Sequence, residues 1–335
     1  MRTERAPASS AVAALSAHSD QDQAWFGSSA SGAGDVNGDG YDDVIVGAFY
    51  WDGAIVNEGG AWLYLGSPTG LETTPAWTVT GGQAQSQFGA SVTGAGDVNG
   101  DGYDDVLIGT ELDEISLVHG PTNSNSCSGS VNLQVQDANN YIHAAAGGDL
   151  NADGIGDIAL GASAVDEGAG AVFVAMGPVT GDLQLADEAD AVLRGEAAGD
   201  SAGSGLTSMG DLNGDGYDDL AVGADGYTVK EGAFGVVYLM YGPVSGEQSL
   251  AESEVTLLGE TSDGRVGGVL AAAGDLDGDG VSELLVGSPI ADSEAENVGA
   301  VWVVSGAAGG VVALSDVALT RYMGAEEEHR VGGSV

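Results

Sequence analysis

The chain has 335 residues, 58 of them glycine, and sets 51 Asp and Glu against 7 Lys and Arg for a formal net charge of −44. That balance excludes nucleic-acid binding through a basic face, because phosphate contacts need clustered Lys and Arg, and it disfavours docking on anionic membranes. No apolar run approaches the length of a spanning helix, so no membrane insertion is expected, while a hydrophobic content of 43% suffices for a large core.

Residues 1–23 read as a ragged N-terminal segment. Its apolar part, Ala11–Leu15, is too short for the core of a secretion signal. From residue 24 to 335 the chain is repetitive. The first unit opens with Phe26-Gly27 and runs into DVNGDGYDDVIVGA at Asp35–Ala48. The second opens with Phe88-Gly89 and gives DVNGDGYDDVLIGT at Asp97–Thr110. In the third the opening near Tyr141 is degraded, and DLNADGIGDIALGA spans Asp149–Ala162. The fourth pairs Ala202-Gly203 with DLNGDGYDDLAVGA at Asp211–Ala224, and the fifth pairs Val266-Gly267 with DLDGDGVSELLVGS at Asp275–Ser288. Val331–Val335 (VGGSV) then repeats the opening of a unit.

Within a unit, an apolar run follows the acidic segment directly. Another lies downstream, as in GGAWLYLG (Gly59–Gly66), GAVFVAMG (Gly170–Gly177), GVVYLMYG (Gly235–Gly242) and GAVWVVSG (Gly299–Gly306), and a weaker one follows that. The runs are short, rich in Val, Ile, Leu and aromatics, and lack helical spacing. Four short strands per unit, repeated, predict an all-β chain: a β-propeller of four-stranded blades, with five complete repeats and the start of a sixth, truncated from a six- or seven-bladed ring.

The acidic segment has the form D-x-[DN]-x-D-G-x-x-[DE]. Oxygen donors at positions 1, 3 and 5 converge on one hard cation when the backbone curls; Gly at 6 permits the turn, position 7 offers a carbonyl and position 9 a carboxylate. The expected ligands are Asp35, Asn37, Asp39, Tyr41 and Asp43 in the first loop, and Asp97, Asn99, Asp101, Tyr103 and Asp105 in the second. The third supplies Asp149, Asn151, Asp153, Ile155 and Asp157, and the fourth Asp211, Asn213, Asp215, Tyr217 and Asp219. The fifth supplies Asp275, Asp277, Asp279, Val281 and Glu283, with four acids in place of three. All-oxygen donation selects Ca²⁺, at about five sites, over Zn²⁺ or Cu²⁺; Mg²⁺ favours small octahedral sites that keep several waters. An EF-hand needs an acid at position 12, where this chain has Val46, Ile108 and Val222, so the loop runs straight into a strand.

These units resemble FG-GAP repeats, the family that builds the N-terminal propeller of integrin alpha subunits and many bacterial surface proteins. Phe26-Gly27 and Phe88-Gly89 match the FG; Gly47-Ala48, Gly161-Ala162, Gly223-Ala224 and Gly287-Ser288-Pro289 match the GAP, though only the last keeps the proline. The resemblance implies a calcium loop between the first two strands of each blade, a ring of usually seven blades, and roles in adhesion or ligand binding.

No catalytic constellation is evident. His18, His119, His143 and His329 occupy unlike repeat positions, and Cys127, the only cysteine, sits in a polar loop without a basic partner. The Asp42-Asp43 pair recurs as Asp104-Asp105 and Asp218-Asp219, which suits metal sites and solvated turns more than one active site. Of the tryptophans, Trp62 and Trp302 share a third-strand position that suits packing, and loop residue Trp51 is the one that stands out for ligand contact. The expectation is therefore a non-catalytic, calcium-binding propeller, extracellular or at the cell surface, for adhesion or recognition of an unidentified protein or glycan. The alternatives are the accessory propeller of a secreted hydrolase, or a lectin-like propeller. Open acidic loops of extracellular modules bind calcium with dissociation constants of roughly 10⁻⁴–10⁻³ M, which cytosolic calcium would leave empty.

Overall fold

The computed structural model of the chain describes residues 21, 23–110, 114–120, 130–135, 142–228, 234–259, 264–291, 298–306, 309–324 and 330–334. Most of the N-terminal segment, with His18, Cys127, Tyr141, Lys230 and His329, lies outside the described residues.

Each acidic loop joins two antiparallel strands, and each unit folds as one sheet. Blade 1 is β1 (Ser29–Gly34), β2 (Asp43–Ala48), β3 (Gly60–Tyr64) and β4 (Trp77–Thr80), paired in that order. Blade 2 is β5 (Ser91–Gly96), β6 (Asp105–Gly109), β7 (Glu114–Val118) and β8 (Val131–Gln134). Blade 3 holds β9 (Ile142–Gly148), β10 (Asp157–Ala162), β11 (Ala171–Ala175) and, after the short β12 (Leu183–Gln184), β13 (Ala191–Arg194). Blade 4 holds β14 (Ala202–Gly210), β15 (Asp219–Thr228), β16 (Phe234–Met240) and, after β17 (Gly246–Ser249), β18 (Val255–Leu258). Blade 5 holds β19 (Val269–Gly274), β20 (Glu283–Ser288), β21 (Ala300–Ser305) and, after β22 (Gly310–Ala313), β23 (Ala318–Met323). The innermost strands β1, β5, β9, β14 and β19 pack one against the next, giving a five-bladed propeller arrangement.

The sequence reading missed a fifth strand. β12, β17 and β22 do not join their own blades. Each pairs in parallel with the outermost strand of the blade before it: β12 with β8, β17 with β13, β22 with β18. An outermost strand presents a row of unpaired N–H and C=O groups, and the next blade supplies their partner. Side chains reinforce the join: Arg194 on β13 pairs with Glu247 on β17, and Gln184 Nε2 donates to Gln134 Oε1 at 2.9 Å.

The core is a series of layers between blades. β6 and β10 are buried at every residue, because both faces of the second strand meet a neighbouring sheet. Leu107 and Leu117 of blade 2 pack with Ile158 and Leu160 of blade 3, and Leu220 and Val222 of blade 4 with Val172 and Val174 of blade 3. Burial of each such side chain contributes about 1.5–3 kcal/mol.

The paired FG and GA dipeptides have a steric cause. A Cβ added at Gly223 in β15 would lie 1.8 Å from the carbonyl oxygen of Gly267, the FG-position glycine of the next unit. The same approach joins Gly47 to Gly89, Gly161 to Gly203 and Gly287 to Gly332. Beside it, an isolated parallel bridge links Gly59 to Phe88, Gly170 to Ala202, Gly235 to Val266 and Gly299 to Val331. Val331-Gly332 thus docks on blade 5 as Phe88-Gly89, Ala202-Gly203 and Val266-Gly267 dock on the blades before them.

The residue after the first loop aspartate lies under the following blade. Val36, Val98 and Leu150 are 0% exposed and Leu212 9%, but Leu276 of blade 5 is 60% exposed. We expect Leu150→Asp to cost about 3 kcal/mol or more by burying an unpaired charge, and Leu276→Asp to stay within about 0.5 kcal/mol. Urea unfolding of the two variants checks this; equal losses would mean that Leu276 is covered in solution.

Candidate metal centres

The five loops share one internal bonding pattern. The aspartate at position 1 accepts the N–H groups of positions 5 and 6: Asp35 Oδ1 and Oδ2 from Asp39 and Gly40 at 2.9 and 2.7 Å, and Asp275 from Asp279 and Gly280 at 3.1 and 3.0 Å. The side chain at position 3 accepts the N–H of position 5, as in Asn37 to Asp39 at 2.8 Å and Asp277 to Asp279 at 3.1 Å. The acid at position 5 accepts the N–H of position 7, which ties down Tyr41, Tyr103, Ile155, Tyr217 and Val281. Short Asp and Asn side chains make such local bonds readily, and they curl the backbone inward. Position 4 is left-handed as well as position 6, and Ala152 adopts φ 58° where the other loops have glycine.

The position 9 acid is the buried member. Asp43, Asp105, Asp157, Asp219 and Glu283 are all 0% exposed. In the first four it is a clamp. Asp43 accepts Val36 N–H at 3.1 Å and Gly66 N–H at 2.8 Å, joining its loop to the turn after the third strand. Asp105 does the same with Val98 and Gly120, Asp157 with Leu150 and Gly177, and Asp219 with Leu212 and Gly242. Sequence reasoning missed this role; its signal was the glycine recurring after the third strand, followed by proline at Gly120-Pro121, Gly177-Pro178 and Gly242-Pro243.

The fifth loop differs. Glu283 Oε2 accepts Leu276 N–H at 2.6 Å, but its Oε1 is buried without a hydrogen-bond partner. Asp275, Asp277 and Glu283 place carboxylate oxygens within 4.8 Å of one another. In the other loops position 3 is an asparagine whose Nδ2 turns toward the acid at 5, as in Asn37 to Asp39 at 3.1 Å, and a comparable group of three carboxylates does not form among the described residues. An orphaned buried oxygen beside two further carboxylates fits a hard divalent cation.

Neighbouring loops are also bonded to each other. Asp104 Oδ2 accepts Asp35 N–H at 2.7 Å, while Asp104 N–H donates to the Asp35 carbonyl at 3.3 Å. Asp218 repeats this with Asp149, at 2.8 and 3.0 Å. Asp104 and Asp218 therefore brace the previous blade's loop and are not solvated turn residues. Tyr103 lies against Gly38, where an added Cβ would come within 2.6 Å of its ring.

Burial pushes the Asp157 and Asp219 carboxyls up to about 6, with the other acids of their loops adding to the rise; backbone hydrogen bonds oppose it. Asp43 is raised for the same reason. His119 is part-buried with Nδ1 3.2 Å from Asp105 Oδ2, and that contact raises its pKa; it is a packing partner of the second loop. Trp51 is not the exposed tryptophan. It meets Trp62 edge-on at 5.6 Å, while Trp25 is 60% exposed.

Five four-stranded blades, each with an acidic loop between its first two strands and three of them extended by a strand borrowed from the next, define an all-β propeller with repeated oxygen-donor loops. Residues 35–108 match the FG-GAP-like repeat, and residues 206–240 and 267–304 match the FG-GAP repeat. The chain carries FG-GAP repeats. It is 33% identical over 98 residues to integrin alpha-5 of Xenopus laevis, covering 28% of this chain and 9% of that protein. It is 37% identical over 93 residues to integrin alpha-6 of Gallus gallus (28% and 8%) and 39% identical over 95 residues to integrin alpha pat-2 of Caenorhabditis elegans (26% and 8%). The match thus spans less than a tenth of the length of these relatives.

Proposed function

We propose that the chain is a non-catalytic propeller, held together by calcium, that acts outside the cell in adhesion or in recognition of a protein or glycan. The observation that carries the metal is the unpartnered Glu283 Oε1, buried beside Asp275 and Asp277. The remaining loops share the same backbone curl and would offer acids at positions 1, 5 and 9, an amide at 3 and the carbonyl at 7. Similarity to integrin alpha chains supports recognition over catalysis. The uncovered Leu276 and the docked Val331 suit a further blade against blade 5.

Calorimetric titration of chelator-treated protein tests the metal. We expect calcium uptake with dissociation constants of roughly 10⁻⁴–10⁻³ M, little affected by equimolar magnesium. The affinity falls as pH drops through about 6, where Asp157 and Asp219 gain protons that calcium must displace. The metal-free protein shows the opposite sense: between the unfolded value near 3.8 and about 6 the folded state holds protons the unfolded chain has released, so its stability falls as pH rises. No heat of binding at millimolar calcium would overturn the assignment.

A further inference from the structure

At the end of blades 1 and 2 remote from the acidic loops lies a cavity of about 520 Å³, whose lining includes Trp25, Tyr50, Asp52, Asn57, Gln85 and Gln87. Trp25 is 60% and Tyr50 37% exposed, and both rings are braced by Phe49, at 5.6 and 4.4 Å between centroids. The polar part of the wall is mostly side-chain amide. Asn57 Nδ2 reaches Gln85 Oε1 at 3.3 Å, and Asp52, the one carboxylate among the described lining residues, accepts Asn57 N–H at 2.6 Å. Gln87 Oε1 is buried and has no hydrogen-bond partner.

Comparison with the equivalent junction of blades 3 and 4 shows that this chemistry is local. There Ser201 N–H bonds the Gly168 carbonyl, just as Gln87 N–H bonds that of Asn57 here. The register aligns Asn57 with Gly168 and Gln85 with Gly199, and all four residues are left-handed, at φ 50°, 81°, 61° and 88°. Glycine takes that backbone freely and an amide residue does not, so blades 1 and 2 hold side chains where strain disfavours them. The Phe49-Tyr50 pair stands where blades 3 and 4 have Ser163-Ala164 and Asp225-Gly226.

We propose that this cavity binds a neutral saccharide. Exposed indole and phenol faces pack the C–H face of a sugar ring, and planar amides each offer two donors and an acceptor to its hydroxyls. The volume falls within the range of small-molecule sites. A net charge of −44 disfavours sialylated or sulfated glycans and leaves uncharged hexoses as the favoured class. The proposal rests on the reading of the chain as a recognition propeller and names the ligand class and the place where it binds.

The test is calorimetric titration of the full chain, in calcium, with the methyl glycosides of glucose, galactose, mannose and N-acetylglucosamine. At least one should bind saturably with a millimolar or tighter dissociation constant, and sialic acid should bind at least tenfold more weakly. Trp25→Ala and Gln87→Leu should each weaken binding tenfold or more at an unchanged melting temperature, while Ser201→Ala at the equivalent blade 4 position should leave it intact. Silence from all four sugars with folded protein would overturn the proposal and assign the aromatic cluster to a protein contact. So would binding that survives Trp25→Ala. Neither result bears on the calcium loops, whose own titration stands or falls separately.

Discussion

Millimolar calcium should raise the melting temperature of chelator-stripped protein steeply, and magnesium much less. At 10 mM calcium, roughly ten to a hundred times the expected dissociation constant, each filled site stabilises the native state by about 1.4–2.7 kcal/mol, or about 2–4 °C for a chain of this size. With several loops filled, the rise is large enough to decide the matter in one experiment. Glu283→Gln identifies the fifth loop's share. Its amide oxygen can still accept Leu276 N–H, so the metal-free melting point should hold while one site's increment disappears. Asp219→Asn should behave differently. Both of its oxygens accept backbone N–H groups, from Leu212 and Gly242, so an amide nitrogen would face a donor and cost about 1–3 kcal/mol even without metal. Equal behaviour of the two variants in chelator would refute the distinction between clamp and orphan. A calcium-insensitive melt would reduce all five loops to turns.

Gly223→Ala, a single added methyl, should be among the most damaging substitutions in the chain. Its Cβ would lie 1.8 Å from the Gly267 carbonyl oxygen and 2.6 Å from the carbonyl carbon, and backbone cannot rotate away as a side chain can. Blades 4 and 5 would have to part along a layer that includes Leu239, Leu257 and Trp302. The expected loss is about 3 kcal/mol or more, read as a shift in the urea midpoint or as failure to accumulate soluble protein. Gly32→Ala, in the innermost strand of blade 1, meets nothing within 4 Å and serves as the control. Similar midpoints for the two variants would mean that the inter-blade glycine contact is looser than described.

The blades were legible because two independent patterns recur together: acids and asparagine at alternating loop positions, then a Val, Ile or Leu run that only a strand buried on both faces explains. The added strands were not legible. β17 is GEQS and β12 only Leu-Gln; such polar, partly exposed stretches have no alternation to betray them, and their partners lie in another unit. The loop donors could be read position by position, but not the use made of each. That Asp43 clamps Gly66, or that Asp104 reaches back to Asp35, depends on residues 23 and 69 positions apart. The choice between Trp51 and Trp25 failed for a related reason. Both flank strands, and only the folded aromatic cluster decides which ring is turned under Trp62 and which is left to solvent.

The borrowed strands also set an order of events on the ribosome. The edge of blade 3 at Ala191–Arg194 stays open until Gly246–Ser249 of blade 4 has emerged, and that of blade 4 at Val255–Leu258 until Gly310–Ala313 has followed. The sheets of blades 2, 3 and 4 can therefore be finished only by sequence synthesised well after their own last strands. Folding trails translation by most of a unit, and the most recently made edge is the one exposed to mispairing. A chaperone acting on this nascent chain would meet the same problem anew at blades 2, 3 and 4, always at the C-terminal side.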